Sequence, residues 1–276
     1  MNKLQKFWRL VAIAAIMASA LNLSLMPATP VQALSSDLVI SQIYGAGGGA
    51  GALYTNDYVE IFNRGTSTVS LSGYSVQYAS ASGTGNFSLS ATLSGNLAAG
   101  KYYLVQLASG GAVGSPMPTP DATGSTNMSG TAGKVILANV TTALACNGGS
   151  TPCNATQLSQ IVDLIGYGTA NFFEGTAAAP AASATLAVFR NSNGCAETDQ
   201  NSADFATGTP SPRNSASTAN PCTPPIPSLS INDVSVTEGD SGTTAASFTV
   251  TLSEAAPAGG VTFDIATSDG DRKSVV

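Results

Sequence analysis

Histidine is missing from all 276 residues, and only 9% of the chain is charged, with 10 Lys and Arg against 16 Asp and Glu. The first absence removes the imidazole on which Ser-His-Asp, Cys-His and most zinc hydrolase chemistry depends. The second argues against direct nucleic-acid binding, because affinity for phosphates comes mainly from Lys and Arg, and no basic run follows the N-terminal segment. There is no C-x₂-C pair, so four cysteines without histidine make a poor tetrahedral zinc set. Helix-length periodic segments are lacking too, and beyond residue 33 no stretch approaches the roughly 20 apolar residues of a membrane span.

What is present begins with an export signal. Lys3, Lys6 and Arg9 precede an apolar segment over 10–26, and Val31-Gln32-Ala33 offers a small-x-small cleavage signal before Leu34. The rival reading, a membrane anchor, is opposed by Ser19, Asn22 and Ser24, which interrupt the apolar run. Residues 1–33 therefore read as a signal peptide, and the chain as secreted or held at the cell surface with no transmembrane segment after cleavage. Four cysteines in an exported chain favour disulfides. Three pairings are possible; sequence order suggests Cys146 with Cys153 and Cys195 with Cys222.

Short alternating runs fill the body of the chain. Leu38 and Ile40 alternate with Val39 and Ser41, and Tyr58, Glu60 and Phe62 alternate with Val59, Ile61 and Asn63, the period of two expected of strands. Further strands read at 74–79, 87–93, 101–108, 134–140, 160–167 and 184–190, divided by Gly, Ser and Pro, which predicts a β-sandwich. Gly45, Gly47 and Ala50 fit a G-x-G-x-x-A dinucleotide fingerprint, but the next element is the β-branched and aromatic YVEIFN rather than a helix aimed at a pyrophosphate. A glycine loop joining two strands is the stronger reading. The Gly-, Ser- and Thr-rich segment 109–133 reads as an exposed loop.

The order of motifs carries a resemblance. VISQIY at 39–44, the glycine-rich insert, NDYVEIFN at 56–63, then Gly65 and LSGYSVQYAS at 71–80 together resemble the lamin tail domain in its secreted bacterial form. That resemblance implies an all-β, immunoglobulin-like β-sandwich over 34–222. After a Pro-rich linker at 223–227, residues 228–270 resemble the first half of a Calx-beta repeat, on SVTEG at 235–239, AASFTVTLS at 245–253 and VTFDIATSDG at 261–270, which implies an incomplete second β-sandwich. DRKSVV, 271–276, departs from that family and reads as an aberrant tail. In calcium-binding members the positions of Glu238 and Asp269 help ligate Ca2+; here the family's remaining acids are not supplied, so the site would be incomplete.

These resemblances imply a non-catalytic secreted or cell-surface module for binding or targeting, with an extracellular or cell-surface ligand that no residue cluster names. The alternative they carry is the N-terminal fragment of a secreted endonuclease/exonuclease/phosphatase-type hydrolase whose catalytic domain is missing. Paired carboxylates could act without histidine, but the odd spacing of Asp57 and Glu60 sets them on opposite faces of a strand. Asp163, among Ile161, Val162, Leu164 and Ile165, reads as an outward or capped strand residue. Glu197, Asp199 and Asp204 are oxygen-rich enough for calcium yet lack the D-x-[DN]-x-[DN]-G order, so a solvated, capped turn is expected. Phe172 and Phe173 read as core or loop packing, with an exposed partner contact as the rival.

Overall fold

The computed structural model describes residues 37–222, 228–237, 241–253, 256 and 260–264. The signal segment 1–33, the linker 223–227, Glu238, Asp269 and the tail 271–276 lie outside the described residues. The chain divides into two compact units, with the break between Cys222 and Thr223.

The strands of the first unit are β1 (Leu38–Tyr44), β2 (Tyr58–Asn63), β3 (Val69–Ser70), β4 (Ser75–Ser80), β5 (Ser88–Thr92), β6 (Asn96–Leu97), β7 (Tyr102–Gln106), β8 (Ala122–Thr123), β9 (Gly133–Ala138), β10 (Ile161–Tyr167), β11 (Ala187–Arg190) and β12 (Phe205–Gly208). Two short helices, α1 (Ala155–Ser159) and α2 (Asn201–Asp204), sit in connections. A six-stranded sheet runs β12-β11-β1-β2-β7-β8, and a four-stranded sheet runs β10-β9-β4-β5. This is the all-β sandwich that the alternating runs predict, and the immunoglobulin-like one that the lamin tail resemblance implies.

The core follows from the period of two. Ile40 and Ile43 of β1, Val59 and Ile61 of β2 and Val105 of β7 meet Val76 of β4, Val135 and Leu137 of β9 and Ile165 of β10 between the sheets. Alternate residues are also covered: Val39, Phe62 and Tyr102 form one cluster on the far side of the large sheet, and Tyr44, Tyr58 and Leu104 another. Both β1 and β2 are buried along their whole length. Sheets of this kind commonly leave one face to solvent, so something must cover the second face.

Ala46, Tyr54, Met117 and Phe189 pack on the second of these clusters and Cys195 and Cys222 on the first, and the polar residues of the face are met by 209–222, a strap without regular structure. Gln42 and Ser211 exchange two bonds of 2.9 Å, the Gln side chain donating to the carbonyl and accepting from the backbone N–H. Arg213 donates its backbone N–H to Glu60 at 2.7 Å and its guanidinium to the same carboxylate at 2.8 Å. Further along, Ser215 donates its backbone N–H to Asp121 at 2.9 Å, and Asn220 donates to the Gly100 carbonyl at 2.7 Å. The strap ends at Cys222, bonded to Cys195, while Cys146 is bonded to Cys153. Both ends of the described domain lie at one pole: Arg64 donates to the Asp37 carbonyl, and Gly100, which holds Asn220, donates to the Asn63 carbonyl.

Segment 109–133 is exposed over 109–116 as its composition predicts, but its second half is ordered against the sandwich. It contributes β8, paired in parallel with β7 through Val105 and Gln106, and buries Met128 in the core. The physical reason is Asp57, whose buried carboxylate accepts from the Met128 N–H at 2.7 Å and from the Gly47 N–H at 2.8 Å. One side chain thereby pins two loops that have little apolar surface of their own.

The second unit is described over fewer residues. β13 (Leu229–Ile231) and β14 (Val250–Leu252) pair antiparallel, and Leu229, Ile231, Phe248 and Phe263 are exposed.

Candidate functional site

The cluster with most chemical potential lies where β1, β10 and β11 meet. Both β1 and β10 carry a register shift, at Ser41 and Val162, and such bulges re-aim side chains. The shift in β10 turns Asp163 inward, where one of its oxygens accepts from the backbone N–H of Ile40 beside the β1 bulge. Of the two expectations for Asp163, outward or capped, its full burial corrects the first, and its bond to the Ile40 N–H agrees with the second. Arg190 of β11 donates to both oxygens of Asp163, at 2.9 and 2.7 Å, and to the carbonyls of Ile40 and Ala196 at 2.9 and 3.1 Å. It also pairs with Glu197, and the Phe205 ring lies 4.5 Å from its guanidinium carbon.

Glu174 completes the group. Its carboxyl accepts from the Leu164 N–H at 3.2 Å and from the Asn201 side chain at 3.1 Å. Asp163, Glu174 and Glu197 bring carboxylate oxygens within 4.8 Å of one another, the one grouping with metal-ligand spacing among the described residues. Burial, then the nearby Asp163 and Glu197 charges, push Glu174 up to about 10, so it holds a proton at neutral pH. Burial lifts Glu197 to about 7, with Arg190 opposing the rise. Desolvation lowers the Arg190 pKa but Asp163 and Glu197 outweigh it, so the guanidinium stays charged. The positive charge that such a trio requires is supplied by Arg190, and the whole is a structural joint between strands.

The remaining candidates are committed in the same way. Asp57 and Glu60 share no partner: the first caps Gly47 and Met128, and the second accepts from Ser41 at 2.6 Å and from Arg213. Burial raises Asp57 to about 6 against those two backbone bonds, and burial raises Glu60 against the pull of Arg213 and Ser41. Asp204 accepts from the N–H and hydroxyl of Thr198 and from the Gln200 N–H at 2.9, 2.8 and 3.2 Å. Capping is as expected, but Asp204 is buried rather than solvated, and Glu197 is drawn into the Arg190 group. Phe172 packs in the core beneath Ala138, Cys146 and Leu164.

Sequence reasoning missed two members of this group, Arg190 and Glu174, and one buried charge elsewhere in the small sheet, Lys134. Lys134, wholly buried in β9, donates to the carbonyl oxygens of Asn147 and Asn171 at 2.9 Å each, and burial lowers its pKa. The available signal was composition by face. Where both faces of a strand read apolar, as in IVDLIGY and GKVILA, an embedded charge is buried whichever way it points, and so demands a partner elsewhere.

An immunoglobulin-like β-sandwich stapled by two disulfides, with its buried charges spent on its own architecture, is thus the class of molecule at hand. The chain belongs to the Lamin Tail Domain family, which matches residues 32–169. Beyond that match, β11, β12 and the strap continue the same unit to Cys222. Among solved structures, one that the chain is similar to is a DUF4876 family protein from Bacteroides thetaiotaomicron, at 14% identity and a TM-score of 0.42 over 67% of this chain and 75% of that one. No match is found among curated proteins. No helix among the described residues is long and apolar enough to cross a membrane.

Proposed function

We propose that this chain is a non-catalytic binding or targeting module of the extracellular space, a lamin tail sandwich followed by the start of a Calx-beta-like unit. The observation that carries this reading is the use of its acids. Asp57, Glu60, Asp163, Glu174 and Asp204 are all buried and each is bonded to backbone or side chains of its own domain. Arg190 supplies the countercharge to the Asp163–Glu174–Glu197 group, and the sequence has no histidine to serve beside these acids as a base or ligand. Two disulfides support an oxidising compartment, and the export signal over 1–33 fits the same destination. For the second unit, the exposed apolar residues beside β13 and β14 support the start of a sandwich.

The test is hydrolysis of DNA and of a phosphate monoester by the purified exported protein in Mg²⁺ and in Ca²⁺. Rates at the buffer background are expected, and the exported chain is expected to begin at Leu34. Metal-dependent turnover that copurifies with the chain overturns the non-catalytic reading.

A further inference from the structure

The strap sits on the large sheet as a ligand sits in a site. Its recognition is position by position: the Gln42 amide pairs with both backbone groups of Ser211, Glu60 takes the backbone N–H and guanidinium of Arg213, and Asp121 takes the backbone N–H and hydroxyl of Ser215. The Tyr102 ring lies 3.7 Å from the Arg213 guanidinium carbon, and Lys101 donates to the Ser217 carbonyl at 2.6 Å. Bonds to backbone at one residue and to side chains two residues on are how an extended peptide is read on a sheet. Of the groups that do the reading, Gln42 and Glu60 are wholly buried. Against this, the strap itself brings no regular pairing and little apolar surface, and its far end is fastened covalently through Cys222 to Cys195.

We infer that the outer face of the large sheet is a slot for an extended Ser-Pro-Arg segment, that a second copy of this chain can supply that segment, and that the Cys195–Cys222 bond keeps each strap in its own slot. The occupant is argued from identity: a second copy carries the same Ser211, Pro212, Arg213 and Ser215 at the same spacing. While the bond is closed, each strap is anchored at both ends and its local concentration excludes a competitor. With the bond open, the strap keeps one covalent anchor, at β12, and only non-covalent bonds to the slot, and exchange between copies closes a symmetric pair.

Two full-length variants test this, both in a Cys195→Ser/Cys222→Ser background. Arg213→Ala keeps the slot and disables the strap, whereas Glu60→Gln keeps the strap and disables the slot. Mixed at micromolar concentration, the two are expected to elute as a one-to-one pair at twice the mass of either alone, and the pair is expected to be absent when the disulfide is retained. Absence of the pair, with both variants giving β-sheet circular dichroism and cooperative melting, overturns the inference. Should either variant fail to fold, hydrogen exchange on the natural chain with and without reductant decides. Loss of protection at least tenfold over 209–222 in dilute reduced protein, with β1 and β2 unchanged, together with a doubled mass in concentrated reduced protein, supports the inference, and loss without the doubled mass overturns it. Retained protection in the strap, or loss across strap and sheet together, overturns it.

Discussion

Replacing Arg190 with methionine is the sharpest probe of how this sandwich is held together. The substitution keeps the apolar stem and removes the guanidinium, leaving Asp163 wholly buried with only backbone donors. Breaking a buried ion pair on one side costs about 3–5 kcal/mol, because the abandoned charge stays desolvated. With a urea slope of about 2 kcal/mol/M for a domain of this size, the midpoint should fall by about 2 M. Burial also pushes an unpaired Asp163 upward, so the carboxyl escapes its penalty by taking a proton. A group whose folded pKa is raised stabilises below its unfolded pKa and loses that contribution as pH rises, so Arg190→Met should be more damaging at pH 8 than at pH 5. Adding Asp163→Asn should recover about half of the loss, since the charge itself is gone. Urea unfolding at both pH values measures all of this. A cost below about 1 kcal/mol, or one independent of pH, would refute the claim that this pair is the joint between the strands.

Glu174, held near 10 by burial, should contribute stability that is complete below its unfolded pKa and lost as pH rises through about 10; Glu174→Gln is expected to flatten the decline in melting temperature on the alkaline side, and parallel curves would reject it. The two disulfides close separations of 27 and 7 residues, so chain-entropy reasoning gives about 3.5 kcal/mol for Cys195–Cys222 and about 2.4 kcal/mol for Cys146–Cys153, a ranking that serine pairs and denaturant titration can check. At Gly47 an added Cβ would stand 1.9 Å from the Asn56 carbonyl carbon and 2.2 Å from the Asp57 N. Gly47→Ala should therefore cost at least about 2 kcal/mol and shift the amide resonances of Gly47 and Met128, whereas an unchanged melting temperature would contradict the close approach.

The strands were legible because alternation is local. Runs at 38–43, 58–63 and 134–140 each bring apolar residues to one face by spacing alone, and β1, β2 and β9 lie on them. The glycine loop could be told from a nucleotide site because YVEIFN follows it. Three things were not legible. Asp163 turns inward because a bulge shifts β10 by one residue, and a one-residue shift reverses every following side chain. Arg190 meets Asp163 only through tertiary pairing, as their 27-residue separation implies no local rule. The strap has no periodicity: its residues bury their backbone against Gln42 and Glu60, which hydropathy patterns do not register.

The placement of both ends of the first unit at one pole, with Asp37 and Asn220 joined through neighbouring strand ends, sets how the domain can be carried. A domain whose ends lie close together can be inserted between flanking segments without stretching them apart. The opposite pole, where Gly48 bonds the Tyr54 carbonyl and Val113 bonds the Gly48 carbonyl, then stands clear of the points of attachment. Leu53, Val113 and Leu186 are exposed on the loops of that pole, so sequence drift or grafted insertions there alter exposed surface while leaving the other pole untouched.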